Sequence, residues 1–417
     1  MSKTKHYHWA EGEPPPPLDA HSLAKHEVLE EYLFQYVRIL AGRPGIPGFK
    51  LNLIDGFSGG GHYRDPVEPG KIHLGSPLIV LNAMRAVEAA INIDRTVPFS
   101  LNARYYFVDR KKQYISYLEN RIREYGFSRL LEQDFCKCIV GEFSDKVDAI
   151  ITDVNQKGRG KHSIFLLDQY GYIDATLGLI KKIFDNVSGA EVILTFAADK
   201  LIDFFNTSEK YTGLMKRLGI DPTKSDVTTN RGQMIWRYQM ESWIAKQLHE
   251  ESGAKYFTRF FIVSSKSNRA YWLLHYSNHL RAHDEMVRIH WAVQNHFAHY
   301  GTAGINKFPI LGFDPERIGF QELNFDADAK TLSHDALLED LPPIAHAHRD
   351  GIRVDALRAI IANHTPADMN ILKNVFNQLR DQKIWEIRTE VGGERRSANG
   401  IRGTDIIIPT QQMGLFL

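Results

Sequence analysis

The stretch LNLIDGFSGGGHY, Leu51 to Tyr63, constrains this chain more than any other. A short apolar run ends at Asp55 and breaks at once into Gly56, Gly59, Gly60 and Gly61. An apolar run that stops in a glycine cluster is a buried strand turning sharply. Glycine is needed there if φ is positive or if a ligand comes close to the backbone. The spacing is not that of a phosphate loop, which ends in Gly-Lys-Ser/Thr, and it lacks the third glycine of a dinucleotide fingerprint. An acid leading into D-G-F-x-G-x-G points instead to a nucleoside cofactor without a pyrophosphate. S-adenosylmethionine is the first candidate.

A chain of 417 residues exceeds one ordinary domain, and about two are expected. A hydrophobic content of 43% and a charged content of 24% belong to a soluble globular protein. The net charge of +1 excludes a surface that coats nucleic acid generally, while leaving room for a local basic patch. Cys136 and Cys138 are the only cysteines, so neither a disulfide framework nor a four-cysteine zinc site can form. They read as reduced thiols on a helix. No apolar run approaches the roughly 18 residues that span a bilayer. The opening MSKTKHYHWAEGEPPPPL has no apolar signal-peptide core. The expectation is a cytoplasmic protein with no membrane partner, opening on a polar, proline-rich arm over residues 1–20.

Leu23, Val28, Leu29, Leu33, Phe34, Val37 and Leu40 recur at helical spacing, so a helix precedes the glycine turn. After it, Ser76 reads as an N-cap with Pro77 at the first helical position. Arg104 to Asp109 is a second strand ending in an acid, and Tyr114 to Tyr125 is helical. Phe127 to Glu132 reads as a third short strand leading into Gln133-Asp134-Phe135. Ile139, Phe143, Val147, Ile150, Ile151 and Val154 then mark a helix. Ser163 to Asp168 is a fourth strand, broken by Gln169-Tyr170-Gly171-Tyr172; a helix over Leu177 to Phe184 and a fifth strand over Glu191 to Phe196 follow. This alternation predicts an α/β fold, a doubly wound and mostly parallel sheet covered on both faces. Residues near 200–252 form a helical insertion, and Tyr256 to Ser264 with Tyr271 to Ser277 form an antiparallel hairpin. From about residue 331 the pattern changes to two short helices, Val354 to Ala362 and Asp368 to Leu379, then two β segments, Ile384 to Arg388 and Asp405 to Ile408. Helix, turn, helix and a two-stranded wing is the winged-helix order. The expected division is therefore an α/β domain over residues 21–330 and a winged-helix domain over 331–417.

Ligands of an open parallel sheet sit beyond the carboxyl ends of its strands. Asp55, Asp109, Asp134 and Asp168 all fall at or beyond such ends in this reading. Asp109 is placed to accept two ribose hydroxyls, since a carboxylate offers two acceptor oxygens to two O–H donors. Asp134 then accepts from the adenine amino group, Phe135 covers the ring, and Asp168 closes the site. Each acid taken singly also fits a surface or helix-capping role. His279 and His283 lie four apart, yet no Glu follows the first as in H-E-x-x-H, and no metal site is expected. Lys373, Arg380, Arg395 and Arg396 in the tail are candidates for phosphate contacts. Acids such as Asp381, Glu386, Glu390 and Glu394 nearly balance them, so a protein-binding tail stays open beside a nucleic-acid-binding one.

LNLIDGFSGGGHY, GSPL (Gly75 to Leu78), YFVDRK (Tyr106 to Lys111), QDF (Gln133 to Phe135) and FLLDQYG (Phe165 to Gly171) resemble the motifs of the three-Cys-motif partner (TcmP) family. The resemblance runs from about His21 to Pro409. It implies a seven-stranded, Rossmann-like class I methyltransferase fold with a winged-helix tail, and a partner protein that carries the cysteines. With Lys25-His26 upstream, the chain is also similar to bacterial 23S rRNA adenine-N6 methyltransferases. By that similarity Lys25, Ser76, Asp109 and Asp168 surround the cofactor; the glycine turn itself adds Asp55, Gly56, Gly59 and Gly61 as cofactor-binding candidates. Those enzymes carry Asp-Pro-Pro-Tyr where this chain has Asp168-Gln169-Tyr170-Gly171. Asp168 and Tyr170 are the residues left to hold and stack a target base. Two readings follow: a methyltransferase acting on a base nitrogen of DNA or RNA, or an adaptor whose partner does the chemistry.

Overall fold

The computed structural model describes residues 7–93, 95–156, 161–169, 174–203, 209–225, 234–263, 270–293, 297–300, 322–324, 327–397 and 400–410. The chain divides into two compact units, Met1–Asn278 and His279–Leu417.

In the first unit, helix α1 (Ala20–Ala41) leads to strand β1 (Gly48–Asp55), and a small hairpin, β2 (His62–Arg64) with β3 (Ile72–Leu74), follows the glycine turn. Then come α2 (Ser76–Asn92), β4 (Ser100–Asp109), α3 (Lys112–Glu124), α4 (Ser128–Glu132), β5 (Cys136–Val140), α5 (Phe143–Gln156) and β6 (Ser163–Leu167). The unit finishes with α6 (Leu177–Asn186), β7 (Ala190–Phe196), α7 (Ala198–Asp203), α8 (Glu209–Leu218), α9 (Met234–Glu250), β8 (Tyr256–Val263) and β9 (Ala270–Ser277).

The result is a mixed α/β unit around a mostly parallel central sheet of 7 strands. Its order is β5-β4-β1-β6-β7-β9-β8. The first five run parallel, β9 is antiparallel to β7, and β8 is antiparallel to β9. Every residue of β6 and β7 is buried, as a parallel sheet covered on both faces requires. From β1 the chain passes first to one side (β4, then β5) and later to the other (β6, then β7). The carboxyl end of β1 is therefore the point where the winding reverses, which opens a crevice between flanking loops.

The third strand differs from expectation. Phe127 to Glu132 holds the short helix α4, and the strand is Cys136–Val140, which takes in Ile139 and both cysteines. Ser-Arg-Leu-Leu-Glu contains good helix formers and no β-branched residue, whereas the strand ends in Ile139-Val140. Asp134 takes the turn between them with φ 58°. The opening arm also differs: Trp9 and Leu18 are each only 4% exposed. The insertion expected near 200–252 is helical, as α7, α8 and α9.

The second unit holds α10 (Leu280–Val293), the antiparallel pair β10 (Phe297–Tyr300) and β11 (Glu322–Asn324), α11 (Ala327–His346), β12 (Ile352–Arg353), α12 (Val354–Ile361), α13 (Met369–Asp381), β13 (Trp385–Arg388) and β14 (Ile406–Pro409). The expected order of two helices and two strands is present, and β12 adds a third strand in the order β12-β14-β13. Asp368 caps α13 by accepting from Ile371 N at 2.9 Å. The unit begins well before residue 330 because α10 is bonded to the tail. Trp291 Nε1 donates to Pro366 O (2.7 Å), Met369 N donates to Asp284 Oδ1 (2.7 Å), and Arg358 lies 3.3 Å from Asp284. Helix α11 carries Pro342 and Pro343 inside it, which hides it from a reading by helix propensity. No helix among the described residues is long and apolar enough to cross a membrane.

Candidate functional site

Asp55 ends β1 and is 1% exposed. Its Oδ1 accepts from Phe57 N at 3.0 Å and its Oδ2 from the Ser76 hydroxyl at 2.6 Å. Burial pushes this carboxyl up to about 7, against the pull of those two donors. Ser76 is thus not the N-cap of α2. Gly75 takes that place, and the hydroxyl reaches across to Asp55.

On the neighbouring strand, Asp109 ends β4. Its Oδ2 accepts from Gly59 N (3.2 Å) and its Oδ1 from Lys111 N (2.8 Å), which ties the glycine turn to β4. Burial raises this carboxyl too, and the two backbone donors only partly offset it. On the other side of β1, Asp168 follows β6. Both of its oxygens lie 2.6 Å from Lys25 Nζ, an ion pair 143 residues apart in sequence. Burial would raise the Asp168 carboxyl, but Lys25 and a hydrogen bond from Thr195 outweigh it and hold it below the usual range. The lysine side chain is 9% exposed and the aspartate 39%, so the acid faces the crevice while the cation backs it.

The glycines have protein neighbours where side chains would be. A Cβ on Gly56 would lie 2.9 Å from both Leu167 and Phe143; on Gly60 it would lie 2.4 Å from the Trp9 ring. Gly59 and Gly61 have φ of +57° and +77°, and a Cβ would meet Trp9 and Leu118 at 2.8 Å. Trp9 is fixed by Nε1 donating to His62 O at 2.7 Å and by Tyr114 at a ring separation of 4.9 Å. The turn is therefore a packed loop whose shape sets the positions of Asp55 and Asp109.

Asp134 and Phe135 do not join this cluster. They precede β5 and lie at the amino end of the sheet. Asp134 is 3.4 Å from Lys137 with its side chain 72% exposed, Phe135 O accepts from Tyr105 N at 2.8 Å, and the Phe135 ring faces Arg104 at 5.9 Å. The shift of the third strand moves its carboxyl end to Gly141, Glu142 and Phe143. There Gly141 N donates to Asp109 O at 3.0 Å, and the Phe143 ring is 6.2 Å from Phe57. Strand, glycine and acid in IVGEF carried that signal. Tyr170, like Gly171 and Tyr172, lies outside the described residues. Gln169, buried at 3%, accepts at Oε1 from Asp174 N and Ala175 N, both at 2.9 Å, and so draws together the two sides of that segment.

In the tail, Arg380 and Arg395 are engaged within the unit. Arg380 donates to Asp381 Oδ1 (2.7 Å) and Arg395 O (2.9 Å), and Arg395 donates to the 1% exposed Asp405 (2.8 and 3.1 Å). Both guanidinium groups are held in place within the unit by these bonds. Arg396 is 89% exposed and 3.8 Å from Glu394, and Lys373 is half-buried on α13. Among the described residues no group of three His, Cys, Asp or Glu is placed to hold a metal ion.

No protein-family model and no curated protein matches this chain. Among solved structures, it is similar to a crystal structure of protein LPL1258 from Legionella pneumophila, described under family model DUF519. That match has 10% identity, a TM-score of 0.37, and covers 62% of this chain and 85% of the other. A likeness so distant carries no argument here.

Proposed function

We propose that this chain is an S-adenosylmethionine-dependent methyltransferase acting on a base nitrogen of a nucleic acid. The observation that carries this reading is the convergence of Asp55, Asp109 and the Lys25–Asp168 pair on the carboxyl ends of three adjacent parallel strands, where the winding reverses. With Asp168 set against Lys25, Asp109 and a part-ionised Asp55 give the crevice its acidic character. That charge suits a nucleoside bearing a sulfonium and an ammonium, and it disfavours one bearing phosphates. The lone pairs left on Asp109 suit ribose hydroxyls. Phe57, half-buried beside the buried Phe143, offers a surface for the adenine ring, and Glu142 an acceptor for its amino group, in place of Asp134 and Phe135. The strand order supports a Rossmann-like class I methyltransferase sheet, and the tail supports a winged helix, in keeping with the TcmP resemblance and with a cytoplasmic enzyme.

The cofactor supplies an electrophilic methyl group when bound. The chain's part is positioning, for which no metal is needed. Lys25 keeps Asp168 ionised and fixes both its oxygens, so Asp168 can accept from the amino group of a base taken out of its stack. Gln169, which accepts from Asp174 N and Ala175 N, stands where the adenine-N6 enzymes have the first proline.

A second reading, an adaptor that binds cofactor while a partner protein does the chemistry, draws on the tail, where Arg380 and Arg395 are internally paired. Incubation of labelled cofactor with total RNA, genomic DNA and cell protein decides between them. Label entering nucleic acid with wild type and not with Asp168→Ala is the expected result. Label entering protein alone changes the substrate class, and no transfer despite cofactor binding supports the adaptor.

A further inference from the structure

An amino nitrogen that accepts a methyl group becomes cationic and must lose a proton. Asp55, although pushed up to about 7, is only 1% exposed and out of a substrate's reach, and the oxygens of the other acids are already engaged. Lys25 donates to both oxygens of Asp168 and holds that carboxyl below its usual range. The oxygens of Asp55 are held by Ser76 and Phe57, and those of Asp109 by Gly59 and Lys111. His26, the next residue of α1 after Lys25, is different. Neither of its ring nitrogens has a hydrogen-bond partner among the described residues. It lies deep among neighbouring atoms yet is only half-buried, as a side chain in a crevice wall is.

We propose that His26 receives the proton released when the target amino group is methylated. This role rests on the methyl-transfer function proposed above. The nitrogen lone pair forms the new N–C bond as the methyl carbon leaves sulfur, and the old bond pair stays on sulfur. The N–H electrons return to nitrogen, its proton passes to an imidazole nitrogen of His26, and water later removes it.

The groups that face His26 fit such a part. Lys25 is its neighbour on α1, Asp168 acts on it from the end of β6, and His73 acts from β3. His73 is itself held by Asp65 at 2.7 Å, and the Tyr63 ring of β2 stands 6.2 Å away. Burial first, then Lys25, push the imidazole down to about 4, with Asp168 opposing, so it is neutral and able to accept at neutral pH.

Two measurements on the full chain test the role. The first follows the His26 ring signal by NMR in the unliganded protein, assigned by its loss in His26→Gln. It should keep its neutral shift down to about pH 5, well below the ordinary midpoint of about 6.5. A ring already protonated at pH 7 overturns the role. The second compares His26→Ala with wild type in single-turnover transfer to total RNA and genomic DNA, alongside calorimetric cofactor binding. Transfer should fall about 10²–10⁴-fold, the scale for losing a general base. Cofactor affinity should hold, and added imidazole should restore part of the rate. Transfer at the wild-type rate, or cofactor affinity falling in step with transfer, overturns the role alone. Absence of transfer by the wild type overturns the methyl-transfer reading and this role with it.

Discussion

Helix α1 carries two polar clusters on the side that meets the sheet, and they are built differently. At one, Lys25 meets Asp168, whose side chain is 39% exposed. At the other, two turns along, the Tyr32 hydroxyl donates to Glu191 Oε2, and His275 Nε2 lies 3.1 Å from the same oxygen. Glu191 and His275 are each 2% exposed in their side chains, and Tyr32 is fully buried. The first cluster lies at the carboxyl ends of the parallel strands and faces a crevice. The second lies near the start of β7 and is closed to solvent. A polar cluster that is half-open, with acceptor capacity left over, can serve a ligand; a closed one can only hold α1 against the sheet. Both link segments far apart in the chain, so distance in sequence does not separate a site from a strut. Exposure does.

Breaking the closed cluster should have the largest effect on stability. Glu191→Ala leaves Tyr32 and His275 without their shared acceptor, and denaturant unfolding should show a loss of about 2–5 kcal/mol, the scale for leaving two buried polar groups without their acceptor. Lys25→Met removes one partner of the open cluster, and its cost in the same assay should be clearly smaller. Equal losses would erase the distinction between the two clusters.

Gly60→Ala comes next. The new methyl meets the Trp9 ring, and the overpacking should cost about 1–3 kcal/mol. The double variant Gly60→Ala/Trp9→Ala should recover part of that loss relative to Trp9→Ala alone. If it recovers nothing, Trp9 is not what makes glycine necessary there.

The pH dependence of cofactor affinity sharpens the comparison further. Burial raises Asp55 from 3.8 to about 7. In the folded chain the group therefore keeps a proton across that window which the unfolded chain has released. Its contribution to unliganded stability falls as pH rises through the window and is constant above it. A cationic ligand favours the ionised form, so affinity should be about tenfold weaker at about pH 6 than at about pH 8. A flat profile would place Asp55 outside the ligand's reach. Arg396→Ala should have the smallest effect, leaving stability within about 0.5 kcal/mol as for other exposed surface changes. A larger loss would show that the tail cation is structural like Arg395.

Much of the architecture was legible because β1, β4 and β6 are apolar runs that end at an acid, and period and composition report that directly. The third strand was misplaced because Phe127 to Glu132 is apolar enough for a strand while its Leu, Arg and Glu favour a helix. That one shift carried Asp134 and Phe135 to the wrong end of the sheet. Trp9 was hidden in a polar, proline-rich segment, since a single aromatic residue has no period. The glycines of the turn were visible, yet the reason for them was not: Trp9, Leu118, Phe143 and Leu167 come from four separate elements. Lys25 entered only through resemblance, because no local pattern shows that it meets Asp168. The tail cations looked free in sequence because Arg395 and Asp405 are brought together only by the strands that flank the wing.

Calorimetric titration of the full chain with S-adenosylmethionine, and with its demethylated product, tests the central claim most directly. Saturable one-to-one binding is expected, weakened by about 1.5–3 kcal/mol in Asp109→Ala, the scale for losing hydrogen bonds to a charged group. A wild-type chain that binds neither compound would contradict the account.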